Sequence, residues 1–289
     1  MNLFLKKSFE YSTVILLAII CLGLHYSNIQ PINRGFFCFD YSLKYPHIEH
    51  ETVPQYLCLI IWLSITTTII VVTELSIRSP LETQLKYCLS GIFSCIISTD
   101  ILKYSVGRLR PYFLTLCSPN YTEICIDESA YYTIGNSEEQ HFDEFFQKYV
   151  NDDNHICSSN ITLGSLKEAR LSFISGHTSF SFYFVVFLII YTLRNSQNIS
   201  YLKNFISFIH LLVFIVACWI SLTRVSDYKH HPLDVLLGAV LGSGVSFFFN
   251  SWIFPHSILV DDQPSQSQHE NSTTSHGDVT ENMSISPIN

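Results

Sequence analysis

The stretch Phe173-Ile-Ser-Gly-His-Thr-Ser-Phe-Ser-Phe-Tyr-Phe-Val-Val-Phe-Leu-Ile-Ile-Tyr-Thr-Leu193 is dominated by apolar and aromatic residues and contains no Asp, Glu, Lys or Arg. A helix needs roughly 20 mostly apolar residues to cross the hydrocarbon core of a bilayer. This run meets that requirement, and it opens on the polar triplet Ser175-Gly176-His177. It reads as a membrane helix with a polar group gathered at one end.

Five other stretches read the same way: about Phe9–Tyr26, Leu57–Ile77, Lys86–Tyr104, Asn204–Leu222 and Leu233–Phe254. Lys86–Tyr104 is the weakest of them, because it holds Asp100 and ends near Lys103. Six spans predict an all-α, polytopic membrane protein with both termini on one side. Composition agrees: 48% of the 289 residues are hydrophobic and only 14% are charged, against about a quarter charged in an average soluble domain. A net charge of -8 argues against a nucleic-acid binder, which needs a basic face.

Residues 1–254 therefore form one membrane domain. A long loop over 112–169 lies on the side opposite the termini, acidic between Glu123 and Asp153, and reads as a solvated cap. The tail over 255–289 is rich in Ser, Thr, Gln, Asn and Asp, lacks Lys and Arg, and reads as disordered. Lys and Arg counts do not decide the orientation. Cysteines help more: Cys38, Cys117, Cys125 and Cys157 all fall opposite the termini, while the other five sit inside spans. Disulfides persist in oxidising compartments, so that face is expected to be lumenal or extracellular and both termini cytoplasmic. The pairing among the four is open. On this topology Asn120 and Asn160 are the two sequons that can carry glycans.

Three polar clusters reach that same face. The first runs from Lys103 to Arg108, Arg110 and Pro111. The second runs from Arg170 to Ser175-Gly176-His177. The third runs from Thr223-Arg224 through Lys229, His230, His231 and Pro232 to Asp234. Ionisable residues so close to hydrocarbon are costly and mark a functional site by default. Lys and Arg at a span end often only snorkel to the headgroups; three clusters on one face are not explained that way.

The chemistry points to a phosphate. Lys103, Arg110, Arg170 and Arg224 gather there, with Arg108 and Lys229 beside them, and guanidinium groups bind phosphate oxygens bidentately. Ser175-Gly176 opens a helix, whose free N–H groups and positive dipole end favour an anion. His230 and Asp234 are four apart, so a helical turn would let the carboxylate hold one imidazole nitrogen and leave the other to attack. His177 is then available to protonate the leaving oxygen. His231 reads as a neighbour, and Glu74 and Asp100 receive no role. His177, His230, His231 and Asp234 could in principle ligate zinc, but no metal-ligand spacing supports it, and no metal is expected.

Lys103 with Arg110-Pro111, Ser175-Gly176-His177, and Arg224 with His230 and Asp234 resemble, in order, the three motifs of the type 2 phosphatidic acid phosphatase superfamily. Gly35-Phe-Phe-Cys38, Tyr45-Pro46 and Val225–His231 are similar to its lipid phosphate phosphatase branch. Ile174 stands where the family usually has Pro, and Thr223 where it has Ser. The resemblance implies a cofactor-free, magnesium-independent hydrolase of lipid phosphate monoesters: phosphatidic acid, lysophosphatidic acid, sphingosine 1-phosphate and ceramide 1-phosphate. It implies His230 as nucleophile through a phosphohistidine, Asp234 as its orienter and His177 as acid. Lys103, Arg110, Arg224, Ser175 and Gly176 would bind phosphate. The expected partners are these lipids and the bilayer of the plasma membrane, endoplasmic reticulum or Golgi, with no nucleic acid and with room for a homo-oligomer. A non-catalytic transporter or receptor for anionic lipids would not need His177 or the His230–Asp234 pair. A superfamily phosphatase for a soluble phosphomonoester fits the Gly35–Pro46 segment less well.

Overall fold

The computed structural model describes residues 3–38, 40–77, 81–125, 148–151, 156–157, 161–195 and 203–253. In chain order the elements are α1 (Leu3–Tyr26), β1 (Phe36–Phe37), α2 (Gln55–Ile77), α3 (Leu81–Val106), α4 (Phe113–Cys117), α5 (Tyr121–Ile124), β2 (Tyr149–Val150), α6 (Leu163–Glu168), α7 (Gly176–Asn195), α8 (Lys203–Ser226) and α9 (Pro232–Phe248). A π-helical turn over Phe249–Ile253 extends α9. The protein is mostly helical. Helices α2, α3, α7, α8 and α9 are long and apolar enough to cross a membrane, and α1 contains a shorter apolar stretch, Tyr11–Tyr26.

α7 is the hub, packing against α2, α3, α8 and α9, while α1 packs against α3. Phe180, Tyr183, Phe184, Phe187, Leu188 and Tyr191 of α7 are buried, whereas Phe205, Phe208, Leu211, Leu212, Ile215 and Trp219 of α8 are exposed. That contrast suits a central helix surrounded by protein and a peripheral one facing lipid. Several polar groups within the bundle are paired with one another, because hydrocarbon supplies no partner. Trp62 Nε1 donates to Ser181 Oγ at 2.9 Å, Tyr183 Oη to the Cys88 carbonyl at 2.9 Å, and Tyr191 Oη to Glu74 at 2.7 Å.

α7 and α9 come closest. A Cβ on Gly242 would lie 2.0 Å from the Ser179 carbonyl oxygen, so only glycine allows that backbone contact. Small residues at such a crossing replace side-chain interdigitation with direct main-chain packing. Gly107 is needed for a different reason. It ends α3 at φ +58 and donates its N–H to the Lys103 carbonyl at 3.0 Å, a left-handed helix stop that turns the chain sharply toward Arg108 and Arg110.

Beyond the helix ends lies a second, smaller core. β1 and β2 pair antiparallel, with Phe36 opposite Val150. Phe36, Leu43, Leu109, Tyr112, Phe113, Leu114, Leu166 and Ala169 pack together there. Disulfides Cys38–Cys125 and Cys117–Cys157 close it, which resolves the open pairing among the four cysteines outside the spans. Cys21, Cys58, Cys88, Cys95 and Cys218, all within helices, are free. The two ends of the 112–169 loop are thus built into a packed cap. The third long helix begins at Leu81, ahead of the expected Lys86. Most of the acidic stretch Glu123–Asp153, the Asn160 sequon and the tail over 255–289 lie outside the described residues. Asn120 is exposed.

Candidate active site

Backbone pairing joins the first polar cluster to the second. Arg110 N–H donates to the Ala169 carbonyl at 2.8 Å, and Ser172 N–H donates to the Arg108 carbonyl at 3.0 Å. The second cluster is joined to the third by Ser175 N–H, which donates to the Asp234 carbonyl at 3.1 Å. Three stretches far apart in sequence meet at one end of the helices. Between them is a cavity of about 200 Å³ lined by Lys103, Arg110, Gly176, His177, Arg224, Lys229 and His230, and by Glu51, Pro54, Gln55 and Glu168.

His230 is buried and its Nδ1–H donates to the Ser172 carbonyl at 2.5 Å. That bond fixes the tautomer and leaves Nε2 unprotonated, the nitrogen free to act as nucleophile. Burial, with Arg110 and Lys103 nearby, holds the His230 imidazole well below its ordinary range. It is therefore neutral at physiological pH.

The expected contact between Asp234 and His230 does not form. His231 is the N-cap of α9 and extended (φ -74, ψ 154), with Pro232 opening the helix. His230 is therefore outside the helix, and the four-residue spacing no longer brings the two side chains together. Asp234 instead folds back as the third helical residue and accepts the His231 N–H at 3.1 Å, completing a capping box. It also accepts Ser172 Oγ–H at 2.6 Å and pairs with Arg108 at 2.7 Å. Its link to His230 runs through Ser172, which binds Asp234 with its hydroxyl and His230 with its carbonyl.

His177 is anchored through Nε2 to the Val53 carbonyl at 3.0 Å. Lys103 Nζ is 3.4 Å from the position a Cβ on Gly176 would take, so the amine rests against the start of α7. As first-turn residues, Gly176 and His177 have N–H groups with no intrahelical acceptor. Ser175 is a correction. It is fully buried, its N–H is taken by the Asp234 carbonyl, its hydroxyl accepts a hydrogen bond from Thr178, and it does not line the cavity. The residue ties α7 to α9 instead of gripping an anion.

The cations divide into two groups. Lys103, Arg110, Arg224 and Lys229 line the cavity. Arg110 Nη1 pairs with Glu168 at 2.9 Å, and Arg110 Nε is buried without a hydrogen-bond partner. Arg224 pairs with Glu51 and with Asp227, each at 2.9 Å, and Lys229 pairs with Glu51 at 3.4 Å. Arg170 stacks on Phe113 behind the site, and Arg108 is engaged with Asp234. His231 turns away to the Leu109 carbonyl at 3.1 Å. Among the described residues, no three His, Cys, Asp or Glu side chains converge as a ligand set for a metal ion.

Glu51, Val53, Gln55, Glu168 and Ser172 are cavity or supporting residues that sequence reasoning did not single out. For Ser172 the only signal was its place between Arg170 and Ser175. Glu51 had none, being one of several acidic or histidine residues ahead of the second span.

The chain matches the PAP2 superfamily over residues 84–257. Phospholipid phosphatase 1 of Rattus norvegicus is 30% identical over 264 residues, covering 84% of this chain and 85% of that protein. Phospholipid phosphatase 2 of Bos taurus is 32% identical over 255 residues, covering 81% and 77%. Phospholipid phosphatase 2 of Homo sapiens is 32% identical over 235 residues, covering 75% and 72%. No solved structure matches the chain.

Proposed function

This chain belongs to the PAP2 superfamily and is a membrane lipid phosphatase, and we propose that it cleaves phosphatidic acid and related lipid phosphate monoesters through a phosphohistidine at His230. One observation carries the reading. His230, neutral and with Nε2 left free, lies in the wall of a cavity shared with Lys103, Arg110, Arg224 and Lys229.

In the first step His230 Nε2 attacks phosphorus and the bond to the lipid oxygen breaks. His177, whose Nε2–H is held by the Val53 carbonyl, takes up the proton of the incoming phosphate monoanion on Nδ1 and gives that proton to the departing alkoxide. Water then attacks the phosphohistidine, and His177 takes up a proton from it, so the cycle ends with inorganic phosphate and both histidines restored. Lys103, Arg110, Arg224 and Lys229 neutralise the phosphoryl oxygens, and the N–H groups of Gly176 and His177 add donors. Asp234 acts as a positioning residue through Ser172. With four cations supplying the positive charge, the reaction is expected to proceed without magnesium.

A phosphate site at the ends of the spans lies at headgroup height, so acyl chains need not leave the bilayer. Counting α1 as a sixth span puts both termini on the cytoplasmic side and the cavity on the lumenal or extracellular side, in the plasma membrane or the secretory pathway. What supports that side is the pair of disulfides at the cavity end of the bundle. The same topology exposes Asn120 to the glycosylation machinery. The test is purified protein in detergent micelles with phosphatidic acid, assayed for inorganic phosphate with a chelator present. Release by the wild type but not by His230→Ala supports the reading. Full turnover by a folded His230→Ala protein, or complete loss with chelator, overturns it.

A further inference from the structure

The Arg224 guanidinium is shared between two kinds of partner. Nη2 and Nε are held by Asp227 and Thr223, both buried. Asp227 is itself clamped by Thr52, whose N–H and hydroxyl bind its two carboxylate oxygens at 2.9 Å and 2.7 Å. That half of Arg224 cannot change partners without dismantling the loop. Among the described residues Nη1 goes to Glu51 alone, at 2.9 Å, and Glu51 also reaches Lys229 at 3.4 Å.

Mobility favours the same half. The Arg224 side chain is 1% exposed and the Glu51 side chain 24%, so Glu51 has water beside it to turn into, while Arg224 has nowhere to go. A phosphate dianion needs Nη1 and the Lys229 amine, and a carboxylate on the same two cations would repel it at close range. The two anions exclude one another. We propose that Glu51 is a displaceable stand-in for the substrate's phosphate: its carboxylate occupies the seat between Arg224 and Lys229, turns aside as phosphate enters, and returns to expel inorganic phosphate. This rests on reading the cavity as a phosphate site. The Thr52–Asp227 clamp keeps the backbone in place while the neighbouring side chain swings. Burial works to raise the Glu51 carboxyl, but Lys229 and Arg224 outweigh it and hold it below the usual carboxylate range; the group is therefore an anion when it competes. Glu168, 52% exposed on a 9% exposed Arg110, repeats the arrangement in a weaker, wetter form.

The experiment measures binding of inorganic phosphate to the full chain in detergent micelles, as a rise in thermal midpoint and as competitive inhibition of hydrolysis. Glu51→Gln keeps the shape and removes the charge, so phosphate should bind about tenfold more tightly, with product inhibition strengthened to match. Glu168→Gln should tighten it less. Unchanged or weaker binding in both variants would overturn the proposal and reduce Glu51 to a prop for Arg224, with the phosphate reading of the site untouched. Should Glu51→Gln not fold, Glu168→Gln decides: tightening supports displacement, and no tightening overturns it. A wild-type protein that binds no phosphate by either readout overturns both this proposal and the site reading.

Discussion

Ser172 joins Asp234 to His230: its hydroxyl donates to the Asp234 carboxylate at 2.6 Å, and its carbonyl accepts His230 Nδ1–H at 2.5 Å. The carboxylate therefore fixes a backbone, and the backbone fixes the imidazole.

Ser172→Ala retains the carbonyl and removes the tether. Losing a buried hydrogen bond to a charged group is worth about 1.5–3 kcal/mol, so kcat should fall by roughly ten- to a hundredfold with KM little changed. Asp234→Asn should fall alongside it, and the double variant should fall no further than the worse single one. Steady-state kinetics on all three test this. Additive losses would mean that Asp234 acts on His230 by another route.

Protonation of His230 is linked to stability with a definite sign. Its folded-state pKa is depressed, so below the unfolded value of about 6.5 the unfolded chain binds the extra proton first. The stabilisation from burying neutral His230 is complete above that value and is lost as pH falls toward the folded pKa. Thermal midpoints should drop across mildly acidic pH, and His230→Gln, which cannot titrate there, should drop less. Parallel curves for the two proteins would contradict the shift. Mildly acidic pH should also leave the nucleophile unprotonated.

At the α7–α9 crossing, Gly242→Ala places a methyl group where the Ser179 carbonyl oxygen is 2.0 Å away. Overpacking of this kind costs about 1–3 kcal/mol. Because α7 carries His177 and α9 carries Asp234, activity should fall together with the thermal midpoint. Gly244→Ala, where a Cβ meets nothing within 4 Å, is the control and should be silent in both measurements.

Reduction should loosen the cap on which Arg110 sits. Cys117–Cys157 spans 40 residues of sequence, and removing a native disulfide typically costs about 2–5 kcal/mol. With reductant, or in Cys117→Ser, the thermal midpoint should fall and KM should rise more than kcat falls. Kinetics in matched redox buffers check this, and an unchanged KM would separate the cap from phosphate binding.

The spans were legible because hydropathy and length alone mark them, and the three clusters because charge at the edge of hydrocarbon demands a reason. Two kinds of contact were not legible. Asp234 was assigned to His230 by four-residue spacing, but that rule holds only inside a helix, and Pro232 starts α9 after His230. Ser175 looked like an anion donor from its neighbours Gly176 and His177, yet its N–H was taken by a carbonyl from another helix, which no local pattern encodes. Glu51 and Val53 enter the site from the connection ahead of α2, whose path is set by Thr52 and by Tyr45 stacking on Tyr228 at 4.6 Å. Tertiary contacts alone decide where such a segment lies.

The glycine crossing of α7 and α9 also limits how a lipid head can be admitted. Main chains in direct contact at Gly242 and Ser179 cannot slide past one another, so the histidine-bearing wall behaves as a single fixed plate. The facing Tyr45–Gln55 segment is pinned to Asp227 by Thr52, so any breathing of the entrance falls to side chains such as Glu51 and leaves the backbone around the headgroup unmoved.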